Sequence, residues 1–332
     1  MSITPCLLRA AAILSLTCST AMAQSYTTTV LEYPGATNTY PKGQNDSGAV
    51  VGYWNGSGVN FSGWIYQNGT LSNFGPANAL PGEVEPTGIN NKGNIVGFYV
   101  DTSGVLRGFF YTASTGKFKN VDLPGSSSAG LEAINNKDVA VGVGSDSAGY
   151  QELFTYKDGK TTPVIDNQTN PVATAINDKG TIVGYAVQSG GDAAAFTYEN
   201  GIFAYLPFNS GISSIPWAVN AHNVVVGSAL ASNLEAGFIY TPKGKLLLRQ
   251  GPEKSGDFGG INDTDVIVGQ YEVNSNIQPW IYNKGKSSTF TVSGLAYAGG
   301  TGINNAGQII GTGLYGNNGV LDVATFVAVP SH

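Results

Sequence analysis

The sequence predicts an all-β fold: a seven-bladed β-propeller of four-stranded blades, the last blade closed by the N-terminal strand. Three observations carry this expectation. A short phrase ending in Asn returns seven times, at Asn45, Asn90, Asn135, Asn177, Asn220, Asn262 and Asn304, with spacings of 45, 45, 42, 43, 42 and 42 residues. A period in the low forties, built from short strands and Gly turns, marks a propeller rather than a helical solenoid. The final period is also one strand short at the C-terminus, while a strand of matching pattern stands near the N-terminus.

The first residues stand outside this repeat. Met1 to Arg9 carries one positive charge, Ala10 to Leu16 is apolar, and Ala21-Met22-Ala23 gives a small-x-small pattern before Gln24. That is the pattern of a secretory signal peptide, with an apolar run far below the roughly 20 residues of a membrane span. The expected division is therefore 1–23 as signal peptide and 24–332 as propeller, in a secreted protein, extracellular or periplasmic. Cys6 and Cys18 both leave with the leader, so the mature chain is expected to hold no disulfide and no thiol ligand. At about 309 residues it is long enough to be held by its core alone.

A strand is expected near Tyr26 to Tyr33. Leu31-Glu32-Tyr33-Pro34-Gly35 repeats the pattern of Val121-Asp122-Leu123-Pro124-Gly125, the end of a fourth strand. It should pair into the last blade and remove two open sheet edges. The second repeat shows the unit most clearly. Glu85 to Asn90 reads as strand one, Asn91-Lys92-Gly93 as a turn, Asn94 to Val100 as strand two, Arg107 to Tyr111 as strand three and Phe118 to Leu123 as strand four. Three residues after each repeated Asn stand Gly48, Gly93, Asp138, Gly180, Asn223, Asp265 and Gly307. These are the residue types that best tolerate a left-handed backbone. The Asn itself reads as an Asx-turn acceptor, a structural role. Strand three carries an aromatic, one residue, then Tyr: Trp64 and Tyr66, Phe109 and Tyr111, Phe154 and Tyr156, Phe196 and Tyr198, Phe238 and Tyr240, Trp280 and Tyr282. Positions two apart share a face, so these rings are expected to form the core between blades.

Gly-Ile-Asn-Asn-Lys-Gly-Asn-Ile-Val-Gly at 88–97, followed by Gly-Phe-Phe-Tyr at 108–111, resembles the extracellular HAF-repeat family of secreted bacterial tandem-repeat proteins. The resemblance extends over essentially the whole mature chain. It departs at the triplet that names the family, since the nearest match, Ala194-Ala195-Phe196, lacks the His. The resemblance implies a secreted propeller and carries no activity with it.

Charge narrows the partners. Lys plus Arg number 16 and Asp plus Glu 22, for a net charge of −6, without basic blocks. Affinity for nucleic acid or an anionic membrane comes from clustered Lys and Arg, so neither is an expected partner. The two histidines are His222, in a tight turn, and His332, the last residue. A Ser-His-Asp triad, a His metal site and a Cys nucleophile are therefore unsupported, and no metal or cofactor is expected. Strand order puts the tight turns on one side and the variable connections on the other, and a site is expected on the variable side, at the channel mouth. Candidate ligand-binding residues there are Tyr40, Lys42, Glu85, Glu132, Trp217 and Asp257, with Arg107 from a strand two–three loop. Aromatic rings with carboxylates suit a glycan, so a monomeric glycan-binding propeller is the first expectation. A polysaccharide-degrading enzyme (lyase or glycoside hydrolase) using carboxylates or Tyr is the second, and a structural or adhesive surface protein the third. The residues three before each Asn are Lys42, Thr87, Glu132, Thr174, Trp217, Gly259 and Thr301, which predicts one asymmetric site rather than seven equal ones.

Overall fold

A computed structural model describes residues 24–165, 170–251, 255–317 and 320–331, so the expected signal peptide lies outside the described residues. The described residues form 28 β-strands and no helix. None, therefore, forms a helix long and apolar enough to cross a membrane. Residues 128–165, 171–205, 213–249 and 257–289 each fold into a four-stranded antiparallel sheet with strands in sequence order. Two further units of this kind span 38–73 and 79–121. The last unit takes Ala296–Ile303, Ile309–Asn317 and Val320–Pro330 from the C-terminus, and Tyr26–Leu31 pairs with Val320–Pro330 along six residues, Tyr26 opposite Pro330. Single parallel bridges, Asn38 to Val323 and Phe61 to Glu83, link the last unit to the first and the first to the second.

The repeated phrase now has a physical account. Each repeated Asn is buried. Its side-chain oxygen accepts the backbone N–H four residues on in all seven and that two residues on in five, as Asn135 does from Val139 and Lys137, both at 3.0 Å. The residue three past the Asn then turns left-handed, with φ from 58° at Asp138 to 87° at Gly48. The side-chain amide has a second task. It donates to the backbone carbonyl of the next repeated Asn: Asn45 to Asn90, Asn90 to Asn135, Asn135 to Asn177, Asn177 to Asn220, Asn220 to Asn262 and Asn262 to Asn304. The last of them, Asn304, donates to the carbonyl of Asn45 at 2.8 Å. Only an amide serves both tasks, because Asp lacks the donor and Ser the reach.

The core is divided into clusters between consecutive units. Val141 and Leu153 of the third unit pack with Ala173, Ile176, Ile182 and Phe196 of the fourth. The same arrangement recurs along the chain, and Ile310 and Val327 of the last unit pack with Val50 and Trp64 of the first. The strand-three aromatics Trp64, Phe109, Phe154, Phe196, Phe238 and Trp280 are buried, each removing about 150–250 Å² from water. Phe326 takes the equivalent place in the last unit.

Candidate functional site

The first strands of the units are Asn38–Gln44, Ala79–Ile89, Ser128–Ile134, Pro171–Ile176, Ser213–Val219, Asp257–Ile261 and Ala296–Ile303. Each carries a β-bulge at the same place, three residues before its Asn or the equivalent turn. The register skips at Lys42, Thr87, Glu132, Thr174, Trp217, Gly259 and Thr301. A bulge leaves its extra residue unpaired and re-aims the side chain. All seven of these residues line one cavity of about 630 Å³. Asymmetry therefore follows from backbone geometry: the fold supplies seven equivalent positions, and the sequence fills them with a lysine, a carboxyl, an indole, three threonines and a glycine.

A second tier of wall comes from the strand-one residue two before each bulge and the residue paired with it on strand two. Tyr40 faces Tyr53, Val172 faces Tyr185, and Asp257 faces Gln270, and all six line the cavity. Tyr53, Tyr185, Gln270 and Thr312 were not among the sequence candidates. A signal existed for them: each directly follows the glycine of strand two, at Gly52, Gly184, Gly269 and Gly311.

Of the sequence candidates, Tyr40, Lys42, Glu132, Trp217 and Asp257 line the cavity. Glu85 is buried beside them and joins them through an ion pair to Lys42, Nζ to Oε1 2.8 Å. Arg107 lies elsewhere. It sits on strand three, Leu106–Thr112, with two strands between it and the channel, and its guanidinium is held by Asp101 and Asp122. Asp101 in turn accepts the N–H groups of Ser103 and Val105, so this cluster shapes a loop. His222 is exposed in its tight turn, its ring Nε2 3.1 Å from the Asp263 carbonyl.

Burial sets the electrostatics of the cavity. It pushes the Glu132 carboxyl up to about 7, with the nearby Glu85 carboxylate adding to the rise and Lys42 opposing it. Asp257 is pushed up to about 6, again chiefly by burial, with Gln270 donating to it at 3.2 Å and partly offsetting the shift. Burial alone would lower the Lys42 ammonium, but Glu85, with smaller help from Tyr53 and Glu132, outweighs it and the net shift is upward. Burial raises the Tyr40 and Tyr53 phenols, which therefore stay protonated at neutral pH. The Trp217 indole is 44% exposed, and its N–H donates to the Ser228 hydroxyl at 3.1 Å. At neutral pH the cavity thus offers a paired ammonium, carboxyls near their titration point, phenol donors and a fixed exposed ring.

The sign of the pH effect follows. The folded-state value of Glu132 stands above its ordinary 4.5, so the fold holds this proton more tightly than the unfolded chain does. Its contribution favours the fold fully below pH 4.5 and is lost as pH rises to about 7. Glu132→Gln removes the titration. The melting temperature of the variant minus that of the parent is expected to grow between pH 4.5 and 7 and then level off. A difference that stays flat across that window would refute the assignment.

A narrower cavity of about 200 Å³ opens at the tight-turn end, between the repeated Asn residues and their followers. Its polar groups are largely spent on one another: Asp46, Asn91, Asn136, Asp178, Asp263 and Asn305 bond side chain to backbone and side chain to side chain across units.

No known family model matches this sequence, and no curated protein does. Solved structures do. The β-propeller domain of the Trilobed protease from Pyrococcus furiosus, with an open velcro topology, matches at a TM-score of 0.58 and 11% identity, covering 87% of this chain and 95% of that one. Two prolyl endopeptidases, studied for interdomain dynamics, are represented by a chain at a TM-score of 0.61 and 12% identity, covering 90% of this chain and 51% of that one. The acylaminoacyl peptidase of Pyrococcus horikoshii matches at 0.54 and 10% identity, covering 84% and 49%. The present chain spans about half the length of these two peptidases. At such identities the likeness is one of fold: the chain is similar to β-propellers.

Proposed function

We propose that this chain is a secreted, closed seven-bladed propeller of the HAF-repeat kind that binds one glycan in the 630 Å³ cavity. The observation that carries the reading is the ring of bulge residues. Seven unpaired positions converge on one concave space of the size that holds small ligands, and they are chemically unequal. An exposed indole and phenols give apolar faces for sugar rings, and carboxyls, threonines and Gln270 give partners for hydroxyls. Closure is supported by the Asn304-to-Asn45 bond, by the core cluster shared between last and first units, and by the N-terminal strand in the last sheet.

A second reading, a polysaccharide-degrading enzyme, draws on the Glu132 carboxyl near 7, a value that suits a general acid at neutral pH. A glycan array and a degradation screen on the mature protein separate the two. Binding without product supports the lectin-like reading, and new reducing or unsaturated ends support the enzyme. Calorimetry is expected to give one site per chain, and Trp217→Ala is expected to weaken binding about tenfold or more, from the loss of a stacking ring. Several equal sites per chain, or an unchanged affinity in Trp217→Ala, would overturn the assignment.

A further inference from the structure

Charge in the cavity is unbalanced. Lys42 is the one basic residue lining it among the described residues, and Glu85 already takes its ammonium at 2.8 Å. Glu132 and Asp257 line the same space without a basic partner. The Glu132 carboxyl accepts no hydrogen bond among the described residues, and its charged neighbours are the Lys42–Glu85 pair. Asp257 is met by Gln270, and the charged residue that bears on its carboxyl is another carboxylate, Glu235, which adds to the upward shift. Two half-buried carboxyls without a counter-charge are costly when ionised, and both hold their protons more tightly than ordinary carboxyls do. A ligand that brings positive charge removes that cost, because each carboxylate then gains the partner the protein does not give it.

The rest of the wall fits such a ligand. Trp217, Tyr40, Tyr53 and Tyr185 line the cavity with aromatic rings, which attract both the C–H face of a sugar and an ammonium, as the Tyr53 ring already does for Lys42 at 5.3 Å. An anionic glycan is disfavoured by the same account, since it would meet the Glu132 and Asp257 carboxyls and a lysine already paired. A neutral glycan would leave Glu132 and Asp257 unpartnered by charge.

We propose that the glycan taken by this cavity carries protonated amino groups, as a glucosamine oligomer does, with Glu132 and Asp257 receiving the ammonium groups and Trp217 stacking on a sugar ring. This deepens the glycan reading above and rests on it. The specificity comes from a bulge position on the third unit and a second-tier position on the sixth, so it is written in individual residues of the repeat and not in the repeat itself.

The test is calorimetry at pH 6 with three trimers: glucosamine, N-acetylglucosamine and galacturonate. The first two differ in acetylation and charge on the same sugar frame. The amino trimer is expected to bind at least tenfold tighter than the acetylated one, and galacturonate is expected not to bind. Binding of the amino trimer should release protons, read as a heat that depends on the ionisation enthalpy of the buffer. Glu132→Gln combined with Asp257→Asn should weaken it at least tenfold and abolish the release, while melting at pH 7 no lower than the parent. Equal or tighter binding of the acetylated trimer, or any preference for galacturonate, overturns the charge requirement and leaves the glycan reading standing. Silence from all three trimers overturns the proposal as well, and the array then shows whether the glycan reading falls with it.

Discussion

Gly142→Ala is expected to cost the fold about 3 kcal/mol, from a single added methyl. A Cβ on Gly142 would stand 2.2 Å from the carbonyl oxygen of Gly130 and 2.9 Å from both Leu131 Cδ2 and Phe154 Cζ. The backbone at Gly142 has no left-handed φ, so the cause is space and not conformation. The obstructing oxygen belongs to the strand-one segment leading into the bulge at Glu132. It cannot withdraw unless that bulge flattens, and flattening turns Glu132 away from the cavity. Gly52, Gly97, Gly184, Gly227, Gly269 and Gly311 repeat the arrangement, with a strand-one carbonyl at 1.9–2.1 Å from the would-be Cβ. The strand-two glycine is thus what lets a buried aromatic and a bulge share one place. Gly190→Ala, with open space around it and an ordinary φ, is the matched control and should stay within about 0.5 kcal/mol of the parent. Denaturant midpoints of both variants decide the point. A Gly142→Ala protein as stable as Gly190→Ala would mean that the bulge yields at no cost.

These positions also show what the sequence exposes and what it hides. The Asn period, the left-handed turn residues and the strand-three aromatics are each set by a local requirement, so they repeat and can be read. Asn135 must cap its own turn, and Asp138 must turn left-handed; both needs are met within a few residues. The bond from Asn135 to the next unit, 42 residues on, uses the same side chain but leaves no extra mark in the sequence. The cavity is legible for a different reason. Its ring is defined by position in the repeat, so Lys42, Glu132 and Trp217 stand out as the unequal members of an otherwise regular column. Tyr53, Tyr185 and Gln270 face the cavity only because the pleat of strand two pairs them with the second tier of strand one, which requires the register. Arg107 shows the converse. Its loop lies near a variable connection, yet the depth of its strand in the sheet decides its partners, and depth is not visible along the chain.

The strongest expected effect comes from the N-terminus. A chain beginning at Gly35 is expected to lose its cooperative melt and to aggregate. The strand Tyr26–Leu31 supplies the outer pairing of residues 325–330, and its removal opens that edge to other chains. The loss reaches inward as well. Tyr26 stacks on Phe290 with ring centres 4.8 Å apart, Val30 packs on the cluster around Ile309 and Phe326, and Leu31 is buried against Val50, Trp64 and Ile310. Leu31 therefore serves the junction between last and first units, where the other polar links are hydrogen bonds: Val323 N–H to Asn38, Thr325 hydroxyl to the Thr39 carbonyl, the amide of Asn304 to Asn45, Asn305 to the Asp46 carboxylate, and the Gln308 amide to Gln44 and the Gly48 carbonyl. Each such hydrogen bond is worth about 1 kcal/mol net, against several buried apolar side chains worth about 1.5–3 kcal/mol each. Removing the clasp, which takes away several such side chains at once, is therefore expected to cost more than the loss of any one of these bonds. Adding a peptide of Gln24 to Pro34 in trans should restore solubility and the melt, because strand pairing and side-chain burial need no covalent link. Recovery from size exclusion and thermal melting, with and without the peptide, are the measurements. A truncated chain that stays monomeric and melts with the parent would show that the junction between last and first units holds without the N-terminal strand.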